Sequence, residues 1–398
     1  MRILHLLGVV RLPQRPDEEP ASGLVRAALE LARTQVDAGN SVTVATAGSH
    51  PWISRWHGVK LLNLRAWEFA KLSVNGRCYD FRQHSAFVWE TLHHSYDIIH
   101  AHDYGYLKFL RSRQKIMHFH SDPLYRDEAM SETNYWTPPD FNIVKKSASK
   151  VIAPSRYVKG RLKSAFGPNA PVFVVPNGID DRRYHPAAVV DEMDRARRDW
   201  GVSLDAVVFL YCGAINRLKG VLILAEAFAE VARKDARAYL LLAGSRALWG
   251  GEGSGDDYEK RVRARLAEAE AEDRVKFLGL VGYRNMPSLY QMADIVVVPS
   301  LMESFGMVAL EAQASGKPVI ASNAGALPEL VNPEKGLLFH AGDAHGLAQA
   351  MDYLLNNPEE RARLGRNGYQ DSRHWTWAIS GSKLREVYRA SGGIMHGP

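Results

Sequence analysis

The chain has 398 residues, 46% hydrophobic and 24% charged, with a formal net charge of +6 at pH 7 and two cysteines, Cys78 and Cys212. That length predicts two or three domains with full cores, while two distant cysteines exclude a disulfide framework and fit a reducing, cytoplasmic setting. No apolar run approaches the ~20 residues that a membrane-spanning helix needs.

The first element in chain order is an apolar strand over residues 2–7. It runs straight from the start without a cleavage site and is read as buried structure, not a leader. Residues 23–38 follow as a helix, with Leu24, Ala27, Ala28, Leu31 and Val36 on one face and Gly39 as its stop. Further strands are predicted over residues 41–47, 97–102, 115–120, 151–154 and 172–176. The intervening stretch with Trp52, Trp56 and Trp67 among Arg55, Lys60, Arg65 and Lys71 is read as a loop with partly buried indoles. Residues 1–185 carry 25 Lys and Arg against 17 Asp and Glu. That basic half leaves open a peripheral contact with an anionic membrane, or an anionic acceptor. No dense basic helix points to nucleic acid.

A second series of strands is predicted over residues 207–212, 238–243, 275–278, 295–299, 318–322 and 336–339. Two such runs, separated by the turn-rich Pro176-Asn177-Gly178-Ile179-Asp180, favour two doubly wound α/β domains over a single eight-unit barrel. The expected domains are residues 1–183 and 184–375, with 376–398 returning to the first. Trp375, Trp377, Leu384 and Val387 give residues 375–390 a helical pattern. The glycine-rich residues 250–255 lack the Lys-Ser/Thr of a phosphate-binding loop and read as a surface insertion.

The segment richest in chemistry is residues 299–312, where a hydrophobic strand runs through Ser304, Phe305, Gly306 and Met307 into an apolar helix. Ligands of open α/β sheets bind outside the carboxyl ends of strands, and a helix starting there aims amides and a positive dipole end at an anion. Glu303 and Glu311 stand eight residues apart, about two helical turns. They can meet one elongated ligand at two places, and carboxylates accept hydrogen bonds from sugar hydroxyls. On spacing alone, Glu303 could equally serve the helix end electrostatically and Glu311 could be solvated or salt-bridged.

Glu303–Glu311 resembles the E-x7-E motif of retaining glycosyltransferases of family 4, which have the GT-B fold of two Rossmann-like domains facing a central cleft. Ser22-Gly23 looks like that family's glycine-rich acceptor loop, residues 39–44 like its second strand, residues 97–102 like its D-x-x-H-x-H strand, and residues 176–180 like its P-N-G-I/V-D hinge. Lys219-Gly220, residues 293–300 and Ser315-Gly316-Lys317-Pro318-Val319 match in order and spacing.

The resemblance implies a hexosyl-type transfer, with retention, from a nucleotide diphosphate sugar (UDP by default) to a hydroxyl of a small-molecule, saccharide or lipid-linked acceptor. It implies that Glu311 binds the nucleotide ribose and Glu303 the donor sugar. The amides of Phe305, Gly306 and Met307 and the side chain of Lys219 would meet the diphosphate. Ser304 belongs to the same donor set, Gly23 would allow close approach to the phosphates, and His102 would sit beside sugar and acceptor. Where the family usually has an arginine this chain has Ala214, and Arg217 is the substitute. No cofactor is expected, and a front-face, metal-independent transfer is the mechanism implied.

Four histidines alternate on two strands, so that His100 and His102 share a face, as do His118 and His120. His102 and His120 are expected at the carboxyl ends, and His100 and His118 in the core. Ser22, His102, His120, Tyr125 and Arg126 are the candidate acceptor residues. A metal held by the histidines is not expected, because no Cys or carboxylate spacing supports it. The alternatives are a nucleotide-sugar epimerase on the same scaffold and a non-catalytic basic binding module.

Overall fold

The computed structural model describes residues 1–8, 10–15, 17–20, 22–66, 71–74, 77–80, 82–103, 106–107, 110–125, 141–186, 190–199, 201–244 and 255–390. Trp67, Arg126, Tyr135, Trp136 and residues 250–254 lie outside them. The chain divides into two units: residues 1–178 with 377 onward, and residues 179–376. Among the described residues no helix is long and apolar enough to cross a membrane.

In chain order the strands of the first unit are β1 (Arg2–Leu6), β2 (Ser41–Gly48), β3 (Trp52–Trp56), β4 (Val59–Arg65), β5 (Lys71–Val74), β6 (Arg77–Asp80), β7 (Ile98–Ala101), β8 (Gln114–His118), β9 (Lys150–Ala153) and β10 (Val172–Val174). The main sheet runs β10-β9-β8-β7-β1-β2-β4-β3, and β5 and β6 form a separate hairpin. Every pairing in the main sheet is parallel except β3 with β4. Parallel strands covered on both faces read as continuous apolar runs, and β1, β2, β7 and β9 are buried along nearly their whole length.

Residues 52–65 of the tryptophan-rich stretch depart from expectation, being an edge hairpin and not a loop. His57 (φ +45°) and Gly58 (φ +83°) supply the two left-handed residues of a tight turn between β3 and β4, the geometry that matches strand twist in two-residue hairpins. Trp56, Val59 and Leu61 are buried in the first unit's core. The predicted strands at 97–102 and 115–120 end earlier than expected, leaving His102 and His120 in the segments just beyond β7 and β8.

The helix Trp377–Arg389 belongs to the first unit and buries Trp377, Leu384, Val387 and Tyr388 in the core that holds Val25, Ala28 and Leu29 of the helix Gly23–Asp37. Its carboxyl end is fixed by a buried lysine. Lys150 Nζ donates to the carbonyls of Val387 (2.7 Å), Tyr388 (3.3 Å) and Ala390 (2.6 Å), placing a cation where the helix leaves acceptors unpaired. Trp375 stays with the second unit, its ring 5.9 Å from that of Phe305.

The second unit contains β11 (Val207–Cys212), β12 (Ala238–Ala243), β13 (Val275–Gly279), β14 (Ile295–Val298), β15 (Val319–Ser322) and β16 (Gly336–Phe339). All are parallel, in the order β13-β12-β11-β14-β15-β16. Alternation sends Phe209 and Tyr211 into the core on one face of the sheet, and Val208, Leu210 and Cys212 into the core on the other.

Close packing of the returning helix gives a direct test. A Cβ on Gly381 would lie 2.3 Å from Thr34 Oγ1 and 2.5 Å from Thr34 Cβ, whereas one on the exposed Gly160 would meet nothing within 4 Å. Gly381→Ala is expected to cost about 1–3 kcal/mol by overpacking. Gly160→Ala, inside the helix Arg156–Phe166, should gain up to about 1 kcal/mol of helix propensity. Urea unfolding midpoints measure both, and equal shifts would contradict this packing.

Candidate functional site

The second sheet has the 3-2-1-4-5-6 order of a doubly wound fold when β11 is counted as its first strand. The switch point, where successive crossovers turn to opposite sides, therefore falls between β11 and β14. In open α/β sheets ligands bind at such a point, outside the carboxyl ends of the strands. The two segments leaving these strands carry Lys219 and Glu303.

After β11 the chain forms a short turn, Arg217–Lys219, capped by Asn216 Oδ1, which accepts from Lys219 N at 3.0 Å. Gly220 then reverses direction at φ +67°. A Cβ there would stand 1.9 Å from the carbonyl oxygen of Pro299, so only glycine fits where the two segments meet. Leu301 N donates to Leu218 O (2.8 Å), and Ala326 N donates to Glu303 O (2.8 Å). Gly325 makes another close approach, its absent Cβ 2.1 Å from Glu303 O.

This backbone frame brings Lys219 and Glu303 together. Lys219 Nζ lies 2.5 Å from Glu303 Oε1, which also accepts from Ser300 Oγ at 3.0 Å. The lysine side chain is 29% exposed and the glutamate 16%, so the pair is reachable yet mostly shielded. Arg217, on the same turn, is exposed, and Ala214 is buried with its carbonyl accepting from Tyr211 Oη at 2.6 Å.

Gly306, at φ +102°, caps the helix Met307–Ala314 without a side-chain hydrogen bond. First-turn amides have no intrahelical acceptor, so this end offers donors and a positive dipole. Phe305 and Ser304 are buried beside it, and Ser304 Oγ lies 3.7 Å from Met302 Sδ. Glu311 faces inward and is buried, its Oε2 accepting from Tyr290 Oη at 2.8 Å. Burial and the nearby Glu311 push the Tyr290 hydroxyl and the Cys212 thiol well above their usual ranges, so both stay protonated. Glu311 is therefore not a solvated surface carboxylate.

In the first unit Ser22 Oγ caps the helix Gly23–Asp37 by accepting from Val25 N at 3.3 Å, which gives the hydroxyl a structural task. A Cβ on Gly23 would meet nothing within 4 Å, so packing does not demand glycine there. Tyr125 is partly buried just after Asp122. That aspartate is buried and accepts from Arg161 Nε (2.9 Å) and Tyr157 Oη (3.1 Å).

The four histidines converge with a fifth that the strand pattern did not single out, His5 on β1. The parallel register sets His5 beside His100, and the rings stack with centroids 4.3–5.5 Å apart. His5, His100, His102 and His118 are buried, while His120 is partly exposed. Burial holds His5 and His120 down at about 4, and burial with neighbouring imidazoles holds His100, His102 and His118 well below 6.5. Two triads, His5-His100-His102 and His102-His118-His120, place ring nitrogens within 4.8 Å of one another. Gln35 and Tyr388 complete the cluster.

Residues 21–183 match the family described as Glycosyltransferase Family 4, and residues 192–371 match Glycosyl transferases group 1. A D-inositol 3-phosphate glycosyltransferase of Nocardia farcinica is 30% identical over 315 residues, 76% of this chain and 68% of that protein. The corresponding enzyme of Corynebacterium aurimucosum is 35% identical over 219 residues, 54% of this chain and 51% of its own length. The chain thus spans about half the length of several curated relatives it matches. Among solved structures, sucrose-phosphate synthase from Thermosynechococcus elongatus superimposes with a TM-score of 0.78 at 24% identity, covering 98% of each chain. Anabaena HepE in complex with UDP-glucose gives 0.76 at 22%, covering 98% of this chain and 99% of that one. These likenesses show the GT-B fold.

The histidine cluster predicts acid sensitivity. Each imidazole is neutral when folded but binds a proton below about pH 6.5 when unfolded. Stability is complete above that pH and is lost as pH falls toward the depressed folded values, by about 1.4 kcal/mol per pH unit for each histidine fully engaged. The melting temperature should be nearly flat from pH 7 to 8 and fall steeply from pH 6 to 4.5. A flat profile down to pH 5 would show that the imidazoles are not held neutral.

Proposed function

The chain belongs to glycosyltransferase family 4, and from that premise we propose that it transfers a hexosyl-type sugar, with retention, from a nucleotide diphosphate sugar to an acceptor hydroxyl. The observation carrying the reading is the juxtaposition of Lys219, Glu303 and the helix end at Gly306, at the β11/β14 switch point of the second unit. The donor site belongs there, and UDP is the default nucleotide, a choice supported by the UDP-glucose named with the HepE structure.

Each group has a task set by its chemistry. Lys219 exchanges its contact with Glu303 for the donor diphosphate, whose negative charge grows as the sugar bond breaks. A preorganised cation and the amides at the start of the helix Met307–Ala314 stabilise that charge, and so lower the barrier. Glu303, released by Lys219, accepts from donor-sugar hydroxyls. Glu311 accepts from the ribose, and the Tyr290 hydroxyl holds it in place. Gly306 lets the backbone approach closely. Arg217, exposed on the same turn, adds positive charge near the leaving group in place of the arginine that Ala214 replaces. In a front-face transfer the departing phosphate oxygen takes the acceptor proton, and the hydroxyl attacks from the same side. Retention therefore needs no protein nucleophile, unlike the double displacement of retaining glycosidases.

The acceptor is assigned to the first unit. Names of the inositol-phosphate enzymes among the relatives make inositol 3-phosphate the first acceptor to try. Its phosphate also suits the basic charge of residues 1–185.

Titration calorimetry with UDP-sugars is expected to show a binding site that Lys219→Ala abolishes. A binder of the native state alone also raises the melting temperature by mass action, which gives a second readout. Glu311→Ala should weaken nucleotide affinity tenfold or more. Glu303→Ala should instead lower turnover with affinity nearly unchanged. Equal losses of both quantities in both variants would contradict this division of labour, and a product of inverted anomeric configuration would exclude retention.

A further inference from the structure

The histidine cluster carries more order than packing requires. Its contacts are His102 Nδ1 to His120 Nε2 (2.6 Å), His5 Nδ1 to His102 Nε2 (2.9 Å), His5 Nε2 to Gln35 Oε1 (3.1 Å), Gln35 Nε2 to Tyr388 Oη (3.2 Å), Tyr388 Oη to His100 Nδ1 (2.7 Å) and His100 Nε2 to His118 Nδ1 (3.2 Å). Every one of the seven side chains is used, and none is used twice at one ring nitrogen.

A neutral imidazole has one donor and one acceptor nitrogen, so fixing one fixes the other. Gln35 sets the direction, because its Oε1 can only accept and its Nε2 can only donate. His5 therefore carries its proton on Nε2 and accepts at Nδ1 from His102 Nε2–H. His102 in turn accepts at Nδ1 from His120 Nε2–H. On the other branch Tyr388 Oη accepts from Gln35, and among the described residues His100 Nδ1 is where its own proton finds an acceptor; a donating His100 would leave that buried hydroxyl proton unpaired. His100 then donates from Nε2 to His118 Nδ1, and His118 is left with Nε2–H, a buried nitrogen with no hydrogen-bond partner.

We propose that these contacts form one unidirectional chain, His120 to His102 to His5 to Gln35 to Tyr388 to His100 to His118, which locks all five imidazoles as Nε2–H tautomers and leaves Nδ1 of His120 to accept a hydrogen bond from the acceptor hydroxyl. The hydroxyl contact rests on the transfer reading above; the chain itself does not. Both ring nitrogens of His102 are engaged by other histidines, so His102 acts as a positioning residue through His120. The depressed affinity of the whole cluster for protons keeps the chain uncharged at neutral pH, which suits His120 to orienting a hydroxyl more than to removing its proton. Its buried anchor, Tyr388, lies on the returning helix, 268 positions beyond His120 in sequence.

A shared metal ion fits these distances poorly. Tetrahedral ligands at about 2.0–2.1 Å from zinc stand about 3.3 Å apart, whereas His102 Nδ1 and His120 Nε2 are 2.6 Å apart.

Long-range proton–nitrogen correlation spectra of the full chain, labelled with 15N-histidine at pH 7, decide the chain directly. Single Nε2–H tautomers for all five residues are expected. Tyr388→Phe should give mixed tautomers at His100 and His118, which a purely packing role would not produce. Nδ1–H signals at His102 or His120, an imidazolium at neutral pH, or stoichiometric zinc retained by the purified protein would overturn the proposal. His120→Gln keeps a donor resembling Nε2–H and removes Nδ1. With inositol 3-phosphate and a UDP-sugar, its acceptor KM should rise tenfold or more, while donor affinity stays within twofold and the other four tautomers are unchanged. An unchanged acceptor KM would refute the hydroxyl contact. If the wild type binds no nucleotide sugar, the transfer reading fails and takes the hydroxyl contact with it, and the tautomer spectra alone decide the chain.

Discussion

The second unit depends on a backbone-to-backbone contact at the ends of β11 and β14. Gly220 lies where any Cβ would collide with Pro299 O, and Gly325 where one would collide with Glu303 O. Hydrogen bonds from Leu301 N to Leu218 O and from Ala326 N to Glu303 O fasten the same three segments. Because these contacts join main chains, the Lys219–Glu303 pair does not rely on long side chains finding one another in solvent. Exposed ion pairs of that kind contribute little. Here the frame sets the pair, and the proposed donor site is built on it.

The first unit reaches a comparable order by other means. Parallel register brings His5 beside His100, and the segments that continue β7 and β8 carry His102 and His120 onto the same stack. A buried polar cluster is costly unless every member is satisfied, and here a directional chain leaves one nitrogen, on His118, without a partner. The returning helix is part of that solution, because it supplies Tyr388 while Lys150 closes its end. Its contribution is thus chemical as well as structural.

Much of this was legible in the sequence, for identifiable reasons. β-branched runs and glycine stops located the main parallel strands, because burial on both faces leaves an unbroken apolar signature. Glu303, Gly306, Glu311 and Lys219 stood out because the family motifs they resemble are short and keep their order along the chain. The hairpin of β3 and β4 was not, since its turn is His57-Gly58 and not the Asn-Gly or Asp-Gly that announces such turns. His5, Gln35 and Tyr388 escaped for a different reason. Gln35 and Tyr388 are 353 positions apart, and only the strand order, together with the return of the last helix, makes them neighbours. Alternation showed that His100 and His102 share a face, but it could not show that both nitrogens of His102 are taken.

Hydrogen exchange with and without a UDP-sugar tests the central claim most directly, because it reports where the ligand acts without presuming which residues matter. Slowed exchange is expected in residues 213–220 and 299–311, the two segments leaving β11 and β14, with little change along β12 and β13. Binding accompanied by protection elsewhere, and none in those two segments, would contradict the placement of the donor site at the switch point of the second unit.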